Sequence, residues 1–176
     1  MLHKKNMISV VVPVYNERGN IENFHKELTQ TLAGQKAHYE IIYVDDNSTD
    51  GTSEWLHSHA NKTSIKVLQK KGDKGKAFSL AEGFAQAQGS LFVMIDGDLQ
   101  YPPQTIADMI AKLEEEKSDI VVANRKVYNE SFVRKAISSS FRYIFGKMLF
   151  GLNTDIQSGL KLFTRTVYES IGFMPN

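Results

Sequence analysis

The chain contains no cysteine, only four prolines and no long run of apolar residues. The absence of cysteine excludes disulfide bonds and thiolate metal sites, and it is compatible with a cytoplasmic location. No stretch approaches the roughly 20 consecutive apolar residues that span a bilayer. An excess of charge of one sign is also lacking, because the net charge is only +1. This balance gives no indication of nucleic acid as a partner.

Short apolar runs alternate with longer amphipathic segments along the chain. The apolar runs predict strands at residues 8–14, 39–45, 64–69, 90–96 and 119–125. The segments between them predict helices at residues 19–34, 48–61, 75–89 and 102–117. This order predicts an α/β fold with a mostly parallel sheet and helices on both faces. The length fits one domain over residues 1–176, and we expect a longer protein in which that domain continues at its C-terminal side.

Polar residues follow the first, second and fourth predicted strands. They form the motifs PVYNE (13–17), VDDNSTDGT (44–52) and DGDLQ (96–100). Because ligands bind at the carboxyl ends of parallel strands, these motifs predict a site at one edge of the sheet. Crowded carboxylates repel one another unless a cation lies between them, and Mg²⁺ or Mn²⁺ suits oxygen ligands. Asp96 and Asp98 therefore predict a metal that binds a diphosphate.

Each motif also has a simpler interpretation. An Asp-x-Asp pair is often a solvated turn, although here a long apolar run leads directly into it. The motif at 44–52 contains residues that cap a helix N-terminus. The motif KGDKGKA (71–77) has glycines for close backbone approach and cations for phosphate, or it is a solvated lysine-rich loop. It is not a P-loop, because the G-x-x-x-x-G-K-[ST] spacing is missing.

Taken together, these motifs resemble the family 2 glycosyltransferases with the GT-A fold. The similarity rests on VVVPVYNE, YEIIYVDDNSTDGT, KGDKGKAFSLAEGFAQAQGSLFVMIDGDLQYPP and DIQSGLKLF, in this order. The pattern DGDLQYPP is most similar to the polyprenyl-phosphate branch, the dolichol-phosphate mannose synthase and undecaprenyl-phosphate glycosyltransferase type. That branch usually has alanine between the aspartates and histidine before the prolines, so Gly97 and Tyr101 depart from it.

The resemblance implies a role for each candidate residue. The implied donor-binding residues are Pro13, Tyr15, Glu17, Asp45, Lys76, Asp96, Gly97 and Arg125. The implied ligands of Mg²⁺ or Mn²⁺ are Asp96, Asp98 and Gln100. Near the acceptor, the resemblance implies Asp155 as the catalytic residue and Ser158 as a pocket residue.

The activity that the resemblance implies is a metal-dependent, inverting transfer of a sugar from a UDP- or GDP-sugar to a polyprenyl phosphate. The protein would then lie at the cytoplasmic face of the membrane. A phosphate acceptor is already anionic, so Asp155 would orient the acceptor or the metal rather than remove a proton. The alternative is transfer to a saccharide or another hydroxyl acceptor, in which Asp155 would be a true general base.

The stretch 131–150 contains four cations, several aromatic residues and no acid. It predicts a basic amphipathic helix, which either lies in a membrane interface or packs on the domain. The resemblance favours the membrane, because a polyprenyl phosphate is met at the bilayer surface.

Three other classes of protein predict different features of the sequence. A dinucleotide-dependent oxidoreductase would need G-x-G-x-x-G after the first strand, and PVYNERGN lacks it. A phosphatase of the haloacid-dehalogenase type would carry its Asp-x-Asp at the first strand rather than the fourth. A nucleotide-binding module without catalytic activity stays open.

Overall fold

The computed structural model describes residues 7–60, 64–124 and 158–171. Its strands are β1 (Met7–Val14), β2 (His38–Asp45), β3 (Ile65–Gln69), β4 (Leu91–Ile95), β5 (Ile120–Val122) and β6 (Leu160–Thr164). Its helices are α1 (Ile21–Ala33), α2 (Thr52–His59), α3 (Lys76–Gln86), α4 (Thr105–Glu116) and α5 (Arg165–Ile171). The predicted helix at 131–150 lies outside the described residues, as do Arg125 and Asp155.

The six strands form one sheet in the order β3-β2-β1-β4-β6-β5. Neighbours among the first four strands pair in parallel, and β6 pairs antiparallel with both β4 and β5. The predicted α/β architecture with a mostly parallel sheet is therefore confirmed. The sequence analysis assigned no strand to β6. The strand has only five residues, and it is defined by its pairing with β4, which lies far away in the sequence.

Apolar side chains cover both faces of the sheet, as the continuous β-branched runs predict. On one face Val10 and Val12 of β1 pack with residues of α1, α2 and α4. On the opposite face Val11 packs with residues of α3. A Cβ on Gly83 would overlap Val11 Cγ1, so glycine allows α3 to lie close against the sheet. This packing brings the N-terminus of α3 to the edge where β1, β2 and β4 end.

The described helices are all too short or too polar to cross a bilayer. The first candidate region for chemistry in this fold is the carboxyl edge of the parallel strands, where ligands usually bind.

Candidate active site

A cleft of about 210 Å³ opens at the carboxyl edge of the sheet. Its lining residues are Pro13, Val14, Tyr15, Glu17, Asp46, Lys76, Ser79, Asp96, Gly97 and Asp98. Seven of these ten were predicted as site residues from the sequence. The other three, Val14, Asp46 and Ser79, were assigned no role of their own, although Val14 and Asp46 belong to motifs predicted to lie at this edge.

The loops after β1 and β2 hold each other through hydrogen bonds. The backbone N–H of Asn16 donates to Ser48 Oγ at 2.9 Å, and that of Thr49 donates to Asn16 Oδ1 at 2.8 Å. The backbone N–H of Glu17 donates to Thr52 Oγ1 at 3.0 Å. Asn16 has a φ of 54°, in the left-handed region that asparagine tolerates better than most residues. These contacts fix the wall of the cleft that carries Tyr15.

Tyr15 is 56% exposed, which is unusual for a large aromatic side chain in the described part of the chain. It lies on the cleft immediately before the cross-linked Asn16. The ring therefore presents an accessible flat surface on a backbone that is already ordered. Such a surface suits the stacking of a planar ligand.

The carboxylate of Asp96 is paired with Lys76. Lys76 Nζ lies 2.6 Å from Asp96 Oδ1 and donates to Oδ2 at 2.7 Å. Both side chains keep contact with solvent, since that of Asp96 is 24% exposed and that of Lys76 is 45% exposed. Gly159 lies directly against the same carboxylate, and a Cβ at this position would overlap Asp96 Oδ2. Gly159 is a site residue that the sequence analysis missed, although it belongs to the quoted motif DIQSGLKLF.

Asp98 lies on the same cleft, in the loop after β4. Its Oδ1 accepts the backbone N–H of Gln100 at 3.0 Å, and Leu99 between them has a φ of 59°. The side chain of Gln100 is exposed and does not line the cleft. The structure thus brings Asp96 and Asp98 to one cleft but leaves Gln100 at its margin.

The chemistry of this donor set fits Mg²⁺ or Mn²⁺, because Asp96 and Asp98 supply carboxylate oxygens only. Among the described residues, no group of three or more histidine, aspartate or glutamate side chains could hold a metal. Two carboxylates suffice where substrate phosphates supply further ligands, which is the usual arrangement for Mg²⁺.

Asp45 does not line the cleft, and its predicted contact with the donor stays a prediction. It is the last residue of β2 and is fully buried. Its Oδ1 accepts from the backbone N–H and the hydroxyl of Ser48, at 3.1 and 2.6 Å. Its Oδ2 is buried without a hydrogen-bond partner in residues 7–60, 64–124 and 158–171. Because successive side chains point to opposite faces of a strand, Asp46 reaches the cleft instead.

Asp46 anchors the loop that leads into α3. Its Oδ1 lies 3.1 Å from Nζ of the fully buried Lys70 side chain, and its Oδ2 accepts the N–H of Gly75 at 2.9 Å. Lys70 Nζ also donates to Gly75 O at 2.9 Å. Burial alone would raise the pKa of Asp46. The contacts with Gly75 and Lys70 outweigh this effect and hold the pKa below its ordinary value.

Gly75 has φ 126° and ψ 152°, a conformation that is essentially confined to glycine. We call Asp46, Lys70 and Gly75 the loop anchor. The sequence analysis missed Lys70, because it is one of four lysines within seven residues and nothing in the sequence distinguishes the buried one.

Ser158 is 2% exposed and does not line the cleft, so the structure does not place it where an acceptor could touch it. Its Oγ lies 2.6 Å from Ala123 O and 3.1 Å from the hydroxyl of Tyr101. It also accepts the N–H of Leu160 at 3.2 Å. Ser158 therefore joins β6 to the end of β5 and to the loop after β4.

Comparison of the chain with known protein families identifies the same family that the sequence motifs resemble. The family described as glycosyl transferase family 2 matches residues 9–172. The chain belongs to glycosyl transferase family 2. The resemblance deduced from the motifs is therefore confirmed, including its polyprenyl-phosphate branch, because relatives of that kind are among the matches.

Two relatives of this family 2 chain illustrate the branch. The dolichol-phosphate mannosyltransferase of Pyrococcus furiosus is 34% identical over 176 residues, which cover 96% of this chain and 49% of that protein. The undecaprenyl-phosphate 4-deoxy-4-formamido-L-arabinose transferase of Proteus mirabilis is 29% identical over 170 residues, covering 96% and 52%. The chain spans about half the length of the curated relatives it matches.

Solved structures confirm the GT-A fold of this family 2 domain. The mannosyltransferase PcManGT of Pyrobaculum calidifontis, in complex with GDP-Man and Mn²⁺, superposes with a TM-score of 0.67 at 22% identity. The match covers 97% of this chain and 48% of that one. Glucosyl-3-phosphoglycerate synthase of Mycobacterium tuberculosis, in complex with Mn²⁺, UDP-Glc and phosphoglyceric acid, superposes with a TM-score of 0.69 at 20% identity. That match covers 92% of this chain and 57% of the synthase.

Proposed function

We propose that this domain catalyses the metal-dependent, inverting transfer of a sugar from a UDP- or GDP-sugar to a polyprenyl phosphate. The observation that carries the proposal is the cleft that Asp96, Asp98 and Lys76 line together with the exposed Tyr15. Two carboxylates, a cation and an aromatic surface match the metal, diphosphate and base of a nucleotide sugar.

The names of the relatives support both halves of the proposal. The solved neighbours that share the fold include complexes with GDP-Man and Mn²⁺ and with UDP-Glc and Mn²⁺. The most similar curated proteins include transferases named for dolichol phosphate and undecaprenyl phosphate, both of which are polyprenyl phosphates. The base, the sugar and the acceptor of this chain are inferred from these relatives.

The side chains of the cleft would divide the work of donor binding. Asp96 and Asp98 would hold Mg²⁺ or Mn²⁺, which when bound neutralises the charge that develops on the leaving diphosphate. Tyr15 would stack on the base, with Pro13 and Glu17 beside the ribose. Lys76 would donate hydrogen bonds to diphosphate oxygens, and charge-assisted bonds of this kind are stronger than neutral ones.

The acceptor would approach from the side of the sugar opposite the diphosphate. A phosphate oxygen of the polyprenyl phosphate forms the new bond to the anomeric carbon as the bond to the nucleoside diphosphate breaks, which inverts the configuration. No proton has to leave an anionic phosphate, so we assign Asp155 to orientation. Arg125 is proposed to bind a phosphate of the donor or the acceptor.

Calorimetry with a panel of nucleotide sugars, with and without Mn²⁺, tests the donor half of the proposal. At least one UDP- or GDP-sugar is expected to bind with about tenfold higher affinity, or more, when Mn²⁺ is present. The metal would bind both the carboxylates of the protein and the phosphates of the donor. Nucleoside monophosphates serve as the control, since they lack the diphosphate. A panel in which no donor binding depends on metal would contradict the proposal.

Anionic vesicles test the membrane half. The basic stretch 131–150 is expected to bind them at low salt, and added salt is expected to weaken the binding by screening. Replacing Arg134, Lys135 and Arg142 together with glutamine should reduce vesicle binding and spare nucleotide binding. Lys112→Gln, which changes an exposed lysine on α4, is the control. If the protein does not bind the vesicles and the full-length enzyme prefers a soluble saccharide as acceptor, the hydroxyl-acceptor alternative replaces the polyprenyl phosphate.

A further inference from the structure

Asp96, which is proposed to bind the metal, already forms an ion pair with Lys76. Lys76 Nζ is within 2.7 Å of both oxygens of Asp96, so it occupies the positions that a divalent cation would take. Gly159 packs against the same carboxylate and limits its freedom to turn away. A metal that binds Asp96 would therefore compete with the ammonium group for the same carboxylate oxygens.

The backbone before Lys76 is held, whereas its side chain is free to change partner. The loop anchor fixes Gly75 from both sides, through its N–H to Asp46 and its carbonyl to Lys70. Lys76 is the first residue of α3, and its side chain is 45% exposed. An exposed lysine side chain changes rotamer on the picosecond to nanosecond timescale, so the exchange needs no backbone movement.

We propose that Lys76 is an internal counter-ion of Asp96, which a divalent cation displaces and which then binds the donor diphosphate. The inference rests on the metal site of the proposed function and adds a coupling between its two ligands. In the free protein Lys76 neutralises the carboxylate of Asp96. With metal bound, the ammonium group is repelled from Asp96 and finds its new partner in the phosphate oxygens.

This exchange has opposite consequences for metal and for diphosphate. Binding of metal alone must break the Lys76–Asp96 pair, so Lys76 opposes it. Binding of diphosphate with metal gives the released ammonium group an anionic partner, so Lys76 favours it. Lys76 thus makes the binding of metal and of nucleoside diphosphate more cooperative, and the coupling acts equally in both directions.

The Lys76→Met variant separates these two effects, because methionine keeps much of the length and none of the charge. We expect Mn²⁺ alone to bind this variant about three- to tenfold more tightly than the unchanged protein, as loss of a competing exposed ion pair allows. We expect UDP or GDP, whichever the donor panel selects, to bind about tenfold more weakly at saturating Mn²⁺. Electron paramagnetic resonance of free Mn²⁺ and calorimetry measure the two affinities.

Lys112→Met is the matched control. It removes one lysine from another exposed ion pair, in which Lys112 Nζ lies 2.8 Å from Glu116 Oε1 on α4. It also changes the net charge by the same amount, and it should leave both affinities unchanged. If Lys76→Met weakens diphosphate binding without tightening Mn²⁺ binding, Lys76 is only a phosphate ligand and the exchange is refuted while the proposed metal site stands. If metal has no effect on nucleotide binding in the unchanged protein, both proposals fail.

Acetylation of individual lysines, followed by mass spectrometry, observes the exchange in the unchanged protein. Mn²⁺ alone should make Lys76 react faster by releasing it from Asp96, and adding the nucleoside diphosphate should then slow the reaction. Lys112 in the same sample should keep a constant rate. A Lys76 rate that does not respond to Mn²⁺ at concentrations that saturate the site contradicts the proposal.

Discussion

Replacing Asp98 with asparagine is expected to weaken metal-dependent binding of the nucleoside diphosphate by roughly 10- to 100-fold. Asparagine has nearly the same shape but offers one neutral oxygen in place of a carboxylate. Because its Oδ1 still accepts the N–H of Gln100, the turn after β4 is retained. The change therefore removes charge from the metal site and leaves the local fold intact. Calorimetry with and without Mn²⁺ measures the effect.

The control for this variant is Asp108→Asn, an equal loss of charge at an exposed position in the first turn of α4. Its donor affinity should match that of the unchanged protein. Thermal unfolding of the Asp98 variant should also occur at nearly the same temperature. If donor affinity in Mn²⁺ is unaltered when Asp98 is asparagine, then Asp98 does not bind the metal.

Replacing Gly159 with alanine is expected to reduce sugar transfer by the full-length enzyme by about 100-fold, which is what a misplacement of about 1 Å can cost. The new Cβ would overlap Asp96 Oδ2 and lie 2.9 Å from Asp96 Cγ. Asp96 is the side chain that yields, so its carboxylate leaves the position shared with Lys76. Metal-dependent donor binding should fall together with the rate.

Gly19→Ala provides the comparison, because a Cβ at Gly19 meets nothing within 4 Å. This variant should keep its activity and its stability. Far-ultraviolet circular dichroism should show the same secondary structure in both variants, since the overlap at Gly159 involves the end of a short side chain. Full activity in the Gly159 variant would mean that Asp96 tolerates displacement, and the close approach would then have no role in function.

The parallel half of the sheet was predictable because each strand carries its own signal. The run at 8–14 is apolar and β-branched, and β1 occupies Met7–Val14. Residues that directly follow such strands could be placed at the correct edge, which is why Asp96 and Asp98 were assigned to one site. Local patterns of this kind need no knowledge of the partner strand.

Features that depend on distant parts of the chain could not be predicted. Asp45 and Asp46 look equivalent in the sequence, and only the alternation of β2 against its neighbours decides which one reaches the cleft. Ser158 resembles a polar site residue, but its hydroxyl is taken up by Ala123 and Tyr101 in the interior. The burial of Lys70 likewise follows from its meeting with Asp46 across β2 and β3.

The antiparallel strand β6 also sets the order in which the domain can assemble during synthesis. Ile95 of β4 pairs with Leu160 of β6, so the edge that carries Asp96 is closed by residues that are synthesised well after β4. Strands β1 to β4 can join side by side, through β1 between β2 and β4, before β6 is made, whereas the glycine that confines Asp96 comes directly before β6. Long-range pairing of this kind slows folding. The metal-binding edge is therefore completed only after the four parallel strands that support it have been made.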